Sequence, residues 1–118
     1  LTEYVRVWAR YETKDHNGQT RRDRNKRARH VSPDLVLPSG FDYMVGWFWE
    51  LRSFCDDRDK PITPGGINEW AQCLGVLLSV WEKATLFAMD RVFRNTLSEE
   101  IAYNEDRRMK SEARKAKR

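Results

Sequence analysis

Phe41–Cys55, FDYMVGWFWELRSFC, is the stretch on which the fold turns. Placed at about 100° per residue, Met44, Phe48, Leu51 and Cys55 form a central ridge, with Trp47 and Phe54 on one side and Phe41, Val45 and Trp49 on the other. Only Asp42, Gly46, Glu50 and Ser53 make a polar edge. A helix apolar over more than half its circumference cannot lie on a surface with one face buried. It has to be clasped by other elements or by a second chain.

Trp47 and Trp49 are separated by about 200° of helix rotation, so they cannot both face one neighbour. Either both are core, packed on opposite sides, or one is an exposed anchor for a partner. The candidate for that role is Trp49 beside Arg52, since Trp and Arg dominate interface hot spots. Trp47, Trp49, Arg52 and Phe54 are therefore the candidate partner-binding residues.

Towards the C-terminus, Cys55-Asp56-Asp57-Arg58-Asp59-Lys60-Pro61 turns polar and ends the helix. Ile62-Thr63-Pro64 is a start signal: Thr63 as N-cap, Pro64 at the first helical position, and Ile62 with Ile67 as a hydrophobic staple. Ile67, Trp70, Ala71 and Leu74 share one face, and Gly75 offers a stop. Ser79-Val80-Trp81-Glu82 reads as a capping box opening a third helix. Its expected ridge is Trp81, Ala84, Ala88 and Val92, widened by Leu86, Met89 and Phe93, with Lys83, Asp90 and Arg94 on the far side. Trp70 and Trp81 are expected in the core. Ser98-Glu99-Glu100 can open a further helix that decays into the basic MKSEARKAKR.

Towards the N-terminus, Ser39 or Gly40 can cap the central helix, and Val31–Gly40 is a loop anchored by Leu35, Val36 and Leu37. Lys14–His30 has a turn signal at Asn17-Gly18 and no aliphatic residue larger than Ala28. It cannot bury enough to offset its ordering entropy and is expected to be mobile by itself. Leu1, Tyr4, Val5, Trp8 and Tyr11 follow helical spacing, which predicts an N-terminal helix packing through Tyr4, Trp8 and Tyr11, although Val5, Val7, Ala9 and Tyr11 also alternate as a strand would.

The 118 residues allow one domain with arms. Charge is unevenly spread: residues 1–30 carry nine Lys/Arg against four Asp/Glu, 31–104 six against eleven, and 105–118 seven against three. An acidic, aromatic core thus lies between two basic extremities. No run of about 18 apolar residues occurs, so no membrane-spanning helix is expected. The N-terminus has no secretory h-region and begins at Leu1 rather than Met, which suggests a fragment or an unusual start. Cys55 and Cys73 fall on apolar helix faces and are expected as buried, reduced thiols, with a disulfide or redox pair as the other reading. There is no internal repeat and no sustained heptad.

Signals for catalysis are nearly absent. His16 and His30 lie in the polar arm without ligands at metal spacing, so no metal or cofactor is expected. Gly65-Gly66 lacks the Lys-Ser/Thr ending of a phosphate loop, and no spacing forces two carboxylates together for acid–base work. The chain reads as non-enzymatic. The arm RRDRNKRAR is different: Arg21, Arg22, Arg24, Lys26, Arg27 and Arg29 are a candidate polyanion-binding set. It has no interleaved aromatics for base stacking, and a solvated linker or an arm complementing an acidic protein surface explains it as well.

The succession FWELRSF, a polar loop, PIT, INEW, a glycine, SVWE and AMDRVFRN resembles the tail assembly chaperones of tailed phages. The residues carrying the likeness are Trp47, Phe48, Glu50, Leu51, Arg58, Ile62, Thr63, Ile67, Glu69, Trp70, Gly75, Glu82, Met89 and Asp90, within residues 41–95. Gly65-Gly66 departs from the pattern, and the basic arm is no part of it. That arm could be the end of an upstream segment, since the family is often made with a frameshifted extension. The resemblance implies a protein that holds the tape-measure protein in solution and recruits tail-tube subunits, in the host cytoplasm, with retention in the virion left open. Self-association is a further partner reading. A nucleic-acid-binding helical module using its basic arms is the alternative, favoured if folding gathers the arms on one face.

The expected fold is all-α: three core helices at 41–54, 64–74 and 80–95 in a small bundle, an additional N-terminal helix, and a C-terminal basic helix. The expected organisation is an N-terminal helix and basic mobile arm over 1–30, a helical core over 31–97, and a basic helix or tail over 98–118.

Overall fold

The computed structural model of the protein describes residues 1–117 and contains helices only: α1 (Thr2–Tyr11), α2 (Arg21–Arg27), α3 (Asp42–Ser53), α4 (Pro64–Leu74) and α5 (Val80–Ala116). The all-helical bundle and the three core helices agree with the sequence pattern. The third core helix and the C-terminal basic helix are, however, a single unbroken helix of 37 residues. At about 1.5 Å per residue it is roughly 55 Å long and sets the long dimension of the molecule, 60 Å.

The caps follow the local chemistry. Thr63 Oγ1 accepts from Gly66 N at 3.0 Å, Pro64 opens α4, and Gly75 closes it in the left-handed region at φ +67°. Ile62 and Ile67 are both buried, as a staple requires. The Ser79–Glu82 box opens α5 with bonds of 2.8 and 3.1 Å. At α3 neither Ser39 nor Gly40 caps the helix; Phe41 occupies the N-cap without a side-chain bond.

Helix α3 is clasped on three sides. Phe48 packs edge-on against Phe93 of α5 and Trp47 edge-on against Trp70 of α4, with ring centroids 5.5 and 5.7 Å apart, and Trp49 packs at a tilt against Trp8 of α1 at 4.6 Å. The two tryptophans that cannot face one neighbour thus face two different ones. The buried core is Val5 and Ala9 from α1, Met44, Val45, Phe48 and Leu51 from α3, Ile62, Ile67, Trp70 and Ala71, and Leu86, Met89 and Phe93 from α5. On α1 the fully buried residues are Val5 and Ala9; Tyr4, Trp8 and Tyr11, expected to carry its packing, are half-buried.

The buried stripe of α5 is Leu86, Met89, Asp90, Phe93, Thr96, Glu100 and Asn104. It lies about a third of a turn from the ridge expected through Trp81, Ala84, Ala88 and Val92. Trp81 is 51% exposed, its ring 5.5 Å from that of Phe41, while Asp90, expected outside, is 2% exposed. Judging a face by apolar residues alone excludes a buried acid from the stripe and so rotates the apparent ridge. In the Val31–Gly40 loop only Leu37 packs on the core; Leu35 and Val36 are exposed.

The stretch expected to be mobile holds a short helix, and ionic contacts secure it. Asp15 Oδ1 accepts from Asn17 and Gln19 N to form the predicted turn at Gly18. Thr20 and Asp23 make a capping box for α2. Arg21 then pairs with the fully buried Glu100 at 2.9 Å, Arg22 with Glu12 at 2.6 Å, and Arg24 with Asp15 at 2.7 Å and Asn104 at 3.2 Å. Apolar burial is not what organises this segment; ion pairs and hydrogen bonds to Glu12, Asp15 and, on α5, Glu100 and Asn104 are.

Candidate functional site

The last turn of α3, the loop after it and one face of α4 enclose an open groove of about 480 Å³. Glu50, Leu51, Phe54 and Cys55 line it from α3 and its end, spaced as one helical face. Gly66, Glu69, Trp70, Cys73 and Leu74 line it from α4 with the same periodicity. Buried Leu51, Ile62 and Trp70 make the floor, whereas Phe54 is 70% and Leu74 52% exposed at the lips. The indole N–H of Trp70 is buried without an acceptor among the described residues.

An ion cluster behind the groove fixes its shape. Asp90 accepts from Arg52 Nη1 at 3.0 Å, from Ile62 N at 3.0 Å and from Arg94 Nε at 2.9 Å. Arg52 also donates to the carbonyls of Lys60 at 2.7 Å and Arg58 at 3.0 Å. One carboxylate therefore joins α3, the 56–62 loop and α5, and sets where Ile62 enters the floor. With its two oxygens holding three donors, Asp90 is a fully satisfied buried charge.

The sequence candidates separate accordingly. Phe54 lies at the mouth of the groove, and Trp47 is half-buried behind its wall, between Tyr43 and Trp70. Trp49 is half-buried among Trp8, Phe48 and Phe93, and Arg52 is bound to Asp90 and the loop carbonyls. Leu74, Cys73 and Glu69 join the groove although the pattern of α3 alone does not point to them. The α4 periodicity does place Leu74 beside Trp70. Both cysteines are free thiols lining this groove; Cys55 is half-buried, but Cys73, expected to be buried, is exposed.

The basic set divides as well. Arg21, Arg22 and Arg24 are held in intramolecular pairs, and Arg21 also stacks over Tyr103 at 4.1 Å. Lys26, Arg27 and Arg29 are exposed and make no ion pair among the described residues. Because α2 docks beside Glu100 and Asn104, it brings these cations to the same end of the molecule as the basic second half of α5. Burial works to raise the Asp15 carboxyl, but the amides of Gln19 and Asn17 and the Arg24 guanidinium prevail and hold it below the usual carboxylate range.

Among the described residues, no group of three or more His, Cys, Asp or Glu is placed to hold a metal ion, and no helix is long and apolar enough to cross a membrane. No curated protein and no solved structure matches the chain. A family profile described as phage tail assembly chaperone matches residues 19–95, from the lead-in to α2 through the first half of α5. The match takes in the basic arm that the residue pattern had left out. It also spans the whole groove and the Arg52–Asp90 cluster behind it. On that match, which covers well over half of its length, the chain belongs to the phage tail assembly chaperone family.

Proposed function

We propose that this protein is a non-enzymatic chaperone that keeps the tape-measure protein soluble and recruits tail-tube subunits in the host cytoplasm. Its clients bind along the aromatic surface of α3, entering the groove at Phe54, with Trp47 behind the wall and Trp49 and Arg52 holding α3 in place. The observation that carries the reading is the open groove itself: Phe54 and Leu74 stay in water over a buried apolar floor. Large apolar side chains gathered at one concave site mark an interaction surface, and a groove between two helices suits a helical client.

The test is co-expression with the tape-measure protein and tail-tube subunit of the same phage, followed by the soluble yield of each. The wild type is expected to keep the tape-measure protein soluble, and Phe54→Asp to abolish this while its helical circular dichroism is unchanged. Equal client yield with wild type, Phe54→Asp and no chaperone overturns the proposal.

The meeting of the basic segments at one end supports a second reading, polyanion binding through Lys26, Arg27 and Arg29. Salt-sensitive binding of a duplex oligonucleotide, lost when those three are neutralised, is its expected result. No binding at low salt removes it.

A further inference from the structure

We infer that the occupant of the α3–α4 groove is an amphipathic helix of a partner protein carrying Lys or Arg on both flanks of its apolar stripe. The inference rests on the groove being the client site and adds the chemistry of what fits there. Glu50 stands on the α3 wall and Glu69 on the α4 wall, both exposed, and neither has an ion-pair partner among the described residues. Two carboxylates without an ion-pair partner among the described residues thus line the groove from its two walls, and its other charged lining residues, Asp56 and Lys60, pair with each other.

The surroundings keep that sign. The chain as a whole is formally +4, yet residues 50–74 hold five acidic against three basic side chains. Of those three, Arg52 is committed to Asp90 and Lys60 lies 3.7 Å from Asp56. The groove thus belongs to the acidic part of the chain, whereas the excess of positive charge lies in the two extremities, residues 1–30 and 105–118. Such a rim steers and selects a cationic partner and repels an acidic one.

Geometry restricts the partner further. The α4 wall is 11 residues, roughly 16 Å, which matches about three turns of a docked helix. Its apolar residues at i, i+3, i+4 and i+7 would cover Leu51, Ile62 and Trp70 and touch Phe54 and Leu74. Basic residues on either edge of that stripe then meet Glu50 and Glu69.

The test uses the full chain and two fluorescein-labelled helical peptides with the same Leu stripe, one flanked by Lys and one by Glu, read by anisotropy at low and high salt. The Lys peptide is expected to bind, to weaken with salt, and to lose about tenfold in affinity in Glu50→Gln/Glu69→Gln. Phe54→Ala is expected to weaken it without changing its salt dependence.

Equal binding of both peptides, lost in Phe54→Ala, leaves the groove as client site and overturns the charge inference. Binding of neither peptide overturns the groove reading together with the inference. Light scattering of the protein alone reads a third outcome. Self-association abolished by Glu50→Gln/Glu69→Gln makes the occupant the basic α5 end of a second copy and overturns assignment to another protein.

Discussion

Asp90→Ala tests the architecture at its most concentrated point. The Asp90 side chain is 2% exposed and its partner Arg52 8%, so removing the carboxylate strands a guanidinium in the interior. Breaking a buried pair from one side costs about 3–5 kcal/mol. The Ile62 amide also loses its acceptor, a loss of about 1–3 kcal/mol for a buried donor. The two overlap, because the backbone around Ile62 can relax once Arg52 moves, and the exposed side of Arg94 adds little. A total near 4 kcal/mol is expected, against roughly 5–15 kcal/mol for a whole domain.

For a chain of this length that corresponds to a melting temperature lower by about 15 °C. Thermal and urea unfolding followed by circular dichroism read it directly. Arg52→Met/Asp90→Ala removes both charges, so it is expected to recover at least half of the loss, and the double-mutant cycle should show strong coupling. A shift of under about 1 kcal/mol in Asp90→Ala, or single-variant losses that simply add, refutes the reasoning.

Further expectations concern other parts of the molecule. Gly46 lies inside α3 on its exposed edge, with nothing within 4 Å of where a Cβ would sit, so Gly46→Ala should gain about 0.8–1 kcal/mol by urea unfolding. Acid should loosen α2 only below the ordinary carboxylate range. Because Asp15 has a folded pKa below its ordinary value of 3.8, the folded state binds fewer protons there than the unfolded chain. Its stabilisation is therefore complete above that value and lost as pH falls through the lower folded one. Hydrogen exchange of the α2 amides between pH 6 and pH 2 should show protection falling at the acid end, and unchanged protection contradicts this. Finally, Cys73 should react with a maleimide faster than half-buried Cys55, and a bulky label on it should block groove binding; equal rates speak against the exposed placement.

The local chemistry of the chain settled a great deal. Thr63-Pro64, the Ser79–Glu82 box and Gly75 are start and stop signals that act within a single turn of backbone, so α4 and the beginning of α5 could be read from neighbours in sequence. The aromatic girth of α3 dictated that it be enclosed, and the opposed directions of Trp47 and Trp49 required more than one neighbour. The groove was partly foreseeable for the same reason, since Phe54 and Leu74 each continue an apolar helical face.

What the sequence could not decide was which charges would be taken inside. Asp90, Glu100 and Asp15 look like surface acids because burial of a carboxylate is favourable only when donors from remote positions arrive to satisfy it. Those donors are Arg52 and the Ile62 amide for Asp90, Arg21 and Arg24 for Glu100, and Arg24 for Asp15. Pairing across 38 residues for Arg52 with Asp90 and 79 for Arg21 with Glu100 has no local signature, so the arm looked mobile and the α5 ridge looked rotated, even though Arg24 stands only nine residues from Asp15. Only the tertiary structure showed that Arg52 ties Asp90 to the loop carbonyls, and that Glu50 and Glu69 line the groove without an ion-pair partner among the described residues.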